Sequence, residues 1–164
     1  MCSSDLALEV NPLEVIVVTG AYADKIRSRV PCSRVKWVLN IRWLTGLGSS
    51  IAAGASAVNP EARAIMILLC DQYRVTSDDL NDLIDAWKSD TNKMVSASCD
   101  GQAMPPVIFP SDCIKDLRQL SDQAGAQSVL RSQPERVRHV NMEHAAFDID
   151  YPEQLQALKN SSAD

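Results

Sequence analysis

Asp71 follows the most apolar stretch of the chain, Ala64-Ile65-Met66-Ile67-Leu68-Leu69, with Cys70 before it and Gln72 after it. The run is continuous rather than alternating, the pattern of a central strand covered on both faces. In open α/β sheets ligands bind outside the carboxyl ends of strands, so a carboxylate there faces a site. Such a carboxylate suits Mg²⁺, a hard cation that takes oxygen ligands and commonly shares them with a substrate phosphate. A solvated aspartate closing a turn fits the same position. Asp148-Ile149-Asp150 adds two carboxylates that point the same way from an extended segment. Near Asp71 they could share a divalent ion; before Pro152, Asp150 serves equally well as a helix cap.

Gly46-Leu47-Gly48-Ser49-Ser50 precedes a small-residue helix, Ile51 to Val58, that Ser49 is expected to open. Its amides and the helix N-terminus could hold an anion or a nucleobase edge, or the glycines could simply make a turn. No Gly-Lys-Ser/Thr follows, and the spacing is not the dinucleotide fingerprint. Ser49 and Ser50 lack a GxSxG context, so hydrolase chemistry has no support. His139 and His144 have no cysteine or carboxylate at metal-ligand spacing and are expected in structural or surface roles. Cys70 reads as a small hydrophobe at the end of a core strand. Trp37, Trp43 and Trp87 are too dispersed for a stacking platform.

The elements that would position these residues alternate between strand and helix. Val15-Ile16-Val17-Val18 and Val35 to Leu39 read as strands, with a helix from Tyr22 to Val30 between them. Thr76 with Asp79 three residues on forms a capping box. Leu80, Leu83, Ile84 and Trp87 then make one apolar stripe, which predicts a helix from Thr76 to Ser89. Met94 to Ser98 and Val107 to Phe109 read as strands around a Gly101 turn, and Ser111 is expected to cap a helix carrying Ile114, Leu117 and Leu120. A short helix over Gly125 to Ser132, a strand over Val137 to Met142 and a helix from Pro152 through Leu158 complete the pattern, with residues 159–164 as a frayed tail. One α/β domain over residues 1–164 is expected.

The 164 residues are 46% hydrophobic and 23% charged, enough apolar material for one core. A formal charge of −5 leaves no general attraction to nucleic acid or to an anionic membrane surface. An anionic ligand must therefore be held locally. No apolar run approaches the ~20 residues of a membrane span, and Met1 to Leu6 lacks the features of a signal peptide. The 5 cysteines are scattered and contain no CxxC pair, which argues against a zinc cage or disulfide framework and for a reduced cytoplasm.

Several segments occur together in order: Val17-Val18-Thr19-Gly20-Ala21-Tyr22, Asn40 with Trp43, Gly46 to Gly54, Leu68-Leu69-Cys70-Asp71-Gln72 and Phe147-Asp148-Ile149-Asp150. Pro105-Pro106-Val107-Ile108-Phe109 and Ala124-Gly125-Ala126 join them. From about Glu14 to Leu158 the chain resembles the MobA-like nucleotidyltransferases, nearest the molybdenum-cofactor cytidylyltransferase (MocA) type. The resemblance implies a three-layer, Rossmann-like, mostly parallel sheet and transfer of CMP from CTP to the phosphate of molybdopterin, releasing pyrophosphate. It implies that Asp71 and Asp150 ligate Mg²⁺ with Asp148 beside them. Asn40, Gly46, Gly48, Ser49 and Ser50 would lie against the base and ribose. The implied partners are nucleotide and molybdopterin-type small molecules, with a molybdoenzyme or its chaperone as a further one.

The chain departs from the family pattern at Tyr73, Tyr151 and Ser121, where Pro, Thr and Gly are usual. The family also opens with a strand and a loop of the outline LAAGxSxRxGxxK that grips the triphosphate. This sequence contains no such segment, and Leu6 to Val10 resembles the end of the helix that follows it. A domain truncated in this way is expected to have unpaired ladder groups on the two strands flanking the missing one. A non-catalytic remnant that binds nucleotide or a partner, and an NAD(P)H-dependent reductase related to the family, are the alternative functions.

Overall fold

The computed structural model describes residues 3–30 and 33–148. Asp150, the helix expected from Pro152 and the tail at 159–164 lie outside these residues.

α1 (Ser3–Glu9) leads to β1 (Val15–Thr19), and α2 (Ala23–Arg29) connects it to β2 (Val35–Leu39). The two strands pair in parallel, from Val15 opposite Val35 to Thr19 opposite Leu39. A 3₁₀ turn over Trp43–Thr45 enters α3 (Leu47–Ser56), followed by β3 (Ala64–Ile67) and α4 (Ser77–Ser89). β4 (Met94–Cys99), β5 (Gln102–Pro110), α5 (Ile114–Arg118), α6 (Gln127–Ser132) and β6 (Val137–Asn141) follow.

β3, β5, β4 and β6 form a second sheet in that order. β5 runs antiparallel to both β3 and β4, whereas β4 and β6 are parallel. The sheet is therefore mixed, which corrects the mostly parallel arrangement expected from the sequence. The cause is local. Asp100 and Gly101 have φ of 50° and 75°, and two consecutive left-handed residues make the tight turn of a β-hairpin. The chain leaving β4 must return antiparallel to it.

Among the described residues no ladder joins β1 to β3. Helices span the two sheets instead. On one side Gly54 of α3 sits against Val18 of β1, while Ile51 and Ala55 join the cluster containing Ile65 and Ile67. On the other side α1 packs on β1 and α4, and Leu6 and Val10 pack against the same buried cluster as Ala64, Met66 and Leu68. β3 thus lies at a sheet edge with all four residues half-buried, not in the central position expected. Its unbroken apolar pattern reports two covered faces, one toward α3 and one toward α1. It carries no information about whether both edges are paired.

Alternation along β4 and β5 divides the core. Met94, Val107 and Phe109 pack with Cys113, Leu117, Val129 and Leu130. Val95, Ala97 and Ile108 pack with Leu80, Leu83, Met142 and Ala145 on the opposite face. Helix boundaries depart from expectation at several ends, two of which bear on the site. α3 begins at Leu47 with Gly46 as its cap, so Ser49 lies inside the first turn. Ser111 starts a 3₁₀ turn without a side-chain cap, and α5 ends at Arg118, leaving Leu120 outside it. The capping box of α4 forms as expected: Asp79 N–H donates to the Thr76 hydroxyl at 3.3 Å and Thr76 N–H donates to the Asp79 carboxylate at 2.8 Å.

Candidate functional site

β3 ends at Ile67, so Leu68 to Gln72 form a loop beyond the sheet edge. Cys70 is exposed in that loop, not packed at the end of a core strand. Asp71 is half-buried, and its Oδ1 is inaccessible to solvent without a hydrogen-bond partner among the described residues. A buried anionic oxygen lacking a donor is costly unless something positive meets it. Oxygen is also the donor that a hard divalent cation prefers, so the position fits one.

Gln72 organises the surroundings of Asp71. Its Nε2 donates to Pro105 O at 2.8 Å and to Ala145 O at 2.7 Å. The loop after β3 is thereby joined to β5 and to a 3₁₀ turn over Glu143–Ala146. His144 Nε2 lies 2.8 Å from Asp79 Oδ2 on the first turn of α4. The Arg74 guanidinium stands 3.9 Å from the Phe147 ring centroid and 5.5 Å from that of Tyr73. Asp148 follows directly and is exposed. Burial alone would raise the Asp79 carboxyl, but hydrogen bonds from His144 and Thr76 outweigh it and hold the group below its ordinary value.

The glycine loop forms a separate cluster. Asn40 is buried at the end of β2, its amide N–H donating to Thr19 O at 2.8 Å. Its Nδ2 donates to the hydroxyls of Ser49 and Ser50 at 2.8 and 3.0 Å, and its Oδ1 accepts from Arg42 N–H at 2.9 Å. Asn40, Gly46, Gly48, Ser49 and Ser50 are thus brought together, with Asn40 and Ser49 acting from below the surface. The glycines have a packing reason. A Cβ on Gly46, where φ is 132°, would stand 2.2 Å from Asp122 O. One on Gly48 would stand 2.1 Å from Ser121 O and 2.4 Å from Ala124 O. Gly48 N–H donates to Asp122 O at 3.2 Å and Ser49 N–H to Gly46 O at 3.3 Å, so two amides of the expected anion cradle already have partners.

Among the described residues, no hydrogen bond or ion pair joins this cluster to Asp71, and no group of three or more His, Cys, Asp or Glu side chains is placed to hold a metal. Asp71 and Asp148 belong to neighbouring segments tied by Gln72. Sequence reasoning gave Gln72 and Arg74 no role of their own and foresaw neither the His144–Asp79 contact nor the approach of residues 121–124 to the glycine loop. Gln72 closes the Leu68 to Gln72 segment of the resemblance and Ala124 opens another, whereas Ser121 departs from the family pattern. No helix among the described residues is long and apolar enough to cross a membrane.

A model of the family described as the MobA-like NTP transferase domain matches residues 4–138. Nicotine blue oxidoreductase of Paenarthrobacter nicotinovorans is 28% identical over 155 residues, covering 88% of this chain and 74% of that protein. Rv0371c from Mycobacterium tuberculosis H37Rv, crystallised in complex with manganese, superposes with a TM-score of 0.78 at 20% identity, covering 94% of this chain and 82% of its own. The 4-diphosphocytidyl-2C-methyl-D-erythritol synthase of Anaerococcus prevotii DSM 20548 superposes with a TM-score of 0.75 at 14% identity, covering 98% and 84%. The two structures establish an α/β nucleotidyltransferase fold.

Proposed function

The chain belongs to the MobA-like NTP transferase domain family, and we propose that it acts as a cytidylyltransferase of the molybdenum-cofactor type, moving CMP from CTP to the phosphate of molybdopterin. The observation that carries the proposal is the buried Oδ1 of Asp71 in the loop beyond β3, without a hydrogen-bond partner among the described residues. In this reading Asp71, with Asp148 and Asp150, holds Mg²⁺, which supplies charge neutralisation for the triphosphate when bound. An oxygen of the acceptor phosphate bonds to the α-phosphorus of CTP. The α–β bridging P–O bond breaks, and pyrophosphate leaves with its electron pair.

Such a reaction needs positioning and charge compensation more than a strong base. Gly46 and Ser50 would lie against base and ribose, with Asn40, Gly48 and Ser49 fixing that surface from beneath through their hydrogen bonds and packing. The partners are the nucleotide and a pterin phosphate, with a molybdoenzyme or its chaperone receiving the product in the cytoplasm.

The similarity to a protein named nicotine blue oxidoreductase favours a second reading, an NAD(P)H-dependent reductase. Calorimetric titration of CTP with and without Mg²⁺ separates the two. The expected outcome is metal-dependent heat that disappears in Asp71→Ala while the fold persists, with CTP outcompeting GTP. NADPH binding without metal-dependent CTP binding would favour the reductase. Neither ligand binding to folded protein would leave a non-catalytic remnant.

A further inference from the structure

We infer that Gln72, Arg74 and His144 are positioning residues that clasp residues 143–148 onto the loop after β3 and so fix Asp148 in the same loop cluster as Asp71. The inference rests on the reading of both aspartates as ligands of the nucleotide's divalent cation.

Three kinds of contact converge on His144, Ala145 and Phe147. The Gln72 amide divides its two hydrogens between Pro105 O and Ala145 O. His144 pairs with Asp79, and Arg74 covers the ring of Phe147. The residues on the other side of each contact, Gln72, Arg74 and Asp79, all lie within eight positions of Asp71. The segment that carries Asp148 is therefore held by the segment that carries Asp71.

Core formation explains only part of this. Met142 and Ala145 are buried in the cluster with Leu80 and Leu83, which seats the turn. Phe147 is 48% exposed and Arg74 is exposed too, so their contact does little for the core. What the contact does is order the residue adjacent to Asp148. A four-residue 3₁₀ turn has few backbone ties of its own, so its orientation depends on these side chains.

The test uses the full chain with Arg74→Ala and His144→Ala combined, both sites being solvent-accessible. Amide exchange should quicken about tenfold across 143–148 and stay unchanged in β4 and β5. Mn²⁺ binding in the presence of CTP, followed by electron paramagnetic resonance, should weaken about tenfold. Arg74→Lys and His144→Asn, which keep a cation and a donor, should recover most of both effects. Unchanged exchange would overturn the clasp. Faster exchange with unaltered Mn²⁺ affinity would reduce it to a structural tie and overturn the positioning role. Asp71→Ala is the control: loss of Mn²⁺ in that variant but not in the double variant sinks the clasp alone. Absence of Mn²⁺ binding in the parent chain sinks both readings.

Discussion

Arg42 Nη2 bridges both carboxylate oxygens of Asp122, at 2.6 and 2.5 Å, across 80 positions of sequence. The pair stands where residues 121–124 close over the glycine loop. Gln123 adds a hydrogen bond to Thr45 O at 3.1 Å. An exposed pair of this kind contributes about 0–1 kcal/mol. The closure depends far more on the backbone approach that Gly46 and Gly48 permit.

Gly48→Ala should therefore destabilise the fold strongly for a one-carbon change. The new Cβ meets two backbone carbonyl oxygens, at 2.1 and 2.4 Å, and neither can swing aside as a side chain would. Overpacking against such neighbours costs about 1–3 kcal/mol, with this site at the upper end. Gly125→Ala is the control. Nothing lies within 4 Å of its Cβ and its φ is not positive, so its effect should stay within about 0.5 kcal/mol. Urea denaturation of the two variants measures the difference. Equal midpoints would mean the 121–124 loop yields readily.

Asn40→Ala should remove the hydrogen bonds that link β2 to the first turn of α3. The Ser49 hydroxyl retains carbonyl acceptors at Gly46 and Arg42, but the Arg42 amide loses the acceptor it had in Asn40 Oδ1. Leaving part of a buried network unsatisfied costs about 1–3 kcal/mol. Asn40→Asp keeps the acceptor for Arg42 and cannot donate to the serines, so it should fall between parent and Ala. Thermal unfolding of the three proteins checks the order; Asp at or below Ala would show that burying the charge outweighs the acceptor.

Cys113 should be inert in the native state. It is 1% exposed. Burial pushes its thiol up to about 11, with Asp112 adding to the rise and Arg136 opposing it. The thiolate is the reactive form, and near pH 8 only about one molecule in a thousand would carry it. Cys70, exposed in the loop before Asp71, should alkylate before Cys113. Brief iodoacetamide treatment followed by peptide mapping tests this. Early modification of Cys113 would mean that α5 opens well below global unfolding.

The features visible in the sequence are those that neighbouring residues determine. Thr76 and Asp79 announce the start of α4, and Leu80 and Leu83 announce the face it buries. Asp71 stands out in the sequence as a candidate because a carboxylate following an apolar run is unusual wherever the strand stops. Strand direction around β5 turns on Asp100-Gly101, a local hairpin signal that conflicts with a mostly parallel sheet. The edge position of β3 lay beyond reach, since apolar periodicity describes faces and not ladders. The need for glycine at 46 and 48 arises from backbone more than 70 residues away, and local reading assigned those glycines to ligand or turn. His144 and Asp79 lie 65 positions apart, and nothing in their spacing announces the contact.

That contact has a consequence at low pH. Burial tends to raise the Asp79 carboxyl, but His144 and Thr76 lower it further than burial raises it, so its folded-state value lies below the ordinary 3.8. A carboxyl depressed in the folded state contributes stability that is present above its unfolded value. The contribution declines as pH falls through 3.8 toward the folded value and is gone below that. Asp79→Asn keeps an acceptor for the Thr76 amide but removes the titrating charge. The variant should be less stable at neutral pH and should lose less stability than the parent on acidification from about pH 5 to about pH 2. Urea midpoints across that range give the comparison. Parallel curves for the two proteins would show that Asp79 has the same proton affinity folded and unfolded, and that neither the capping box nor His144 stabilises its charge.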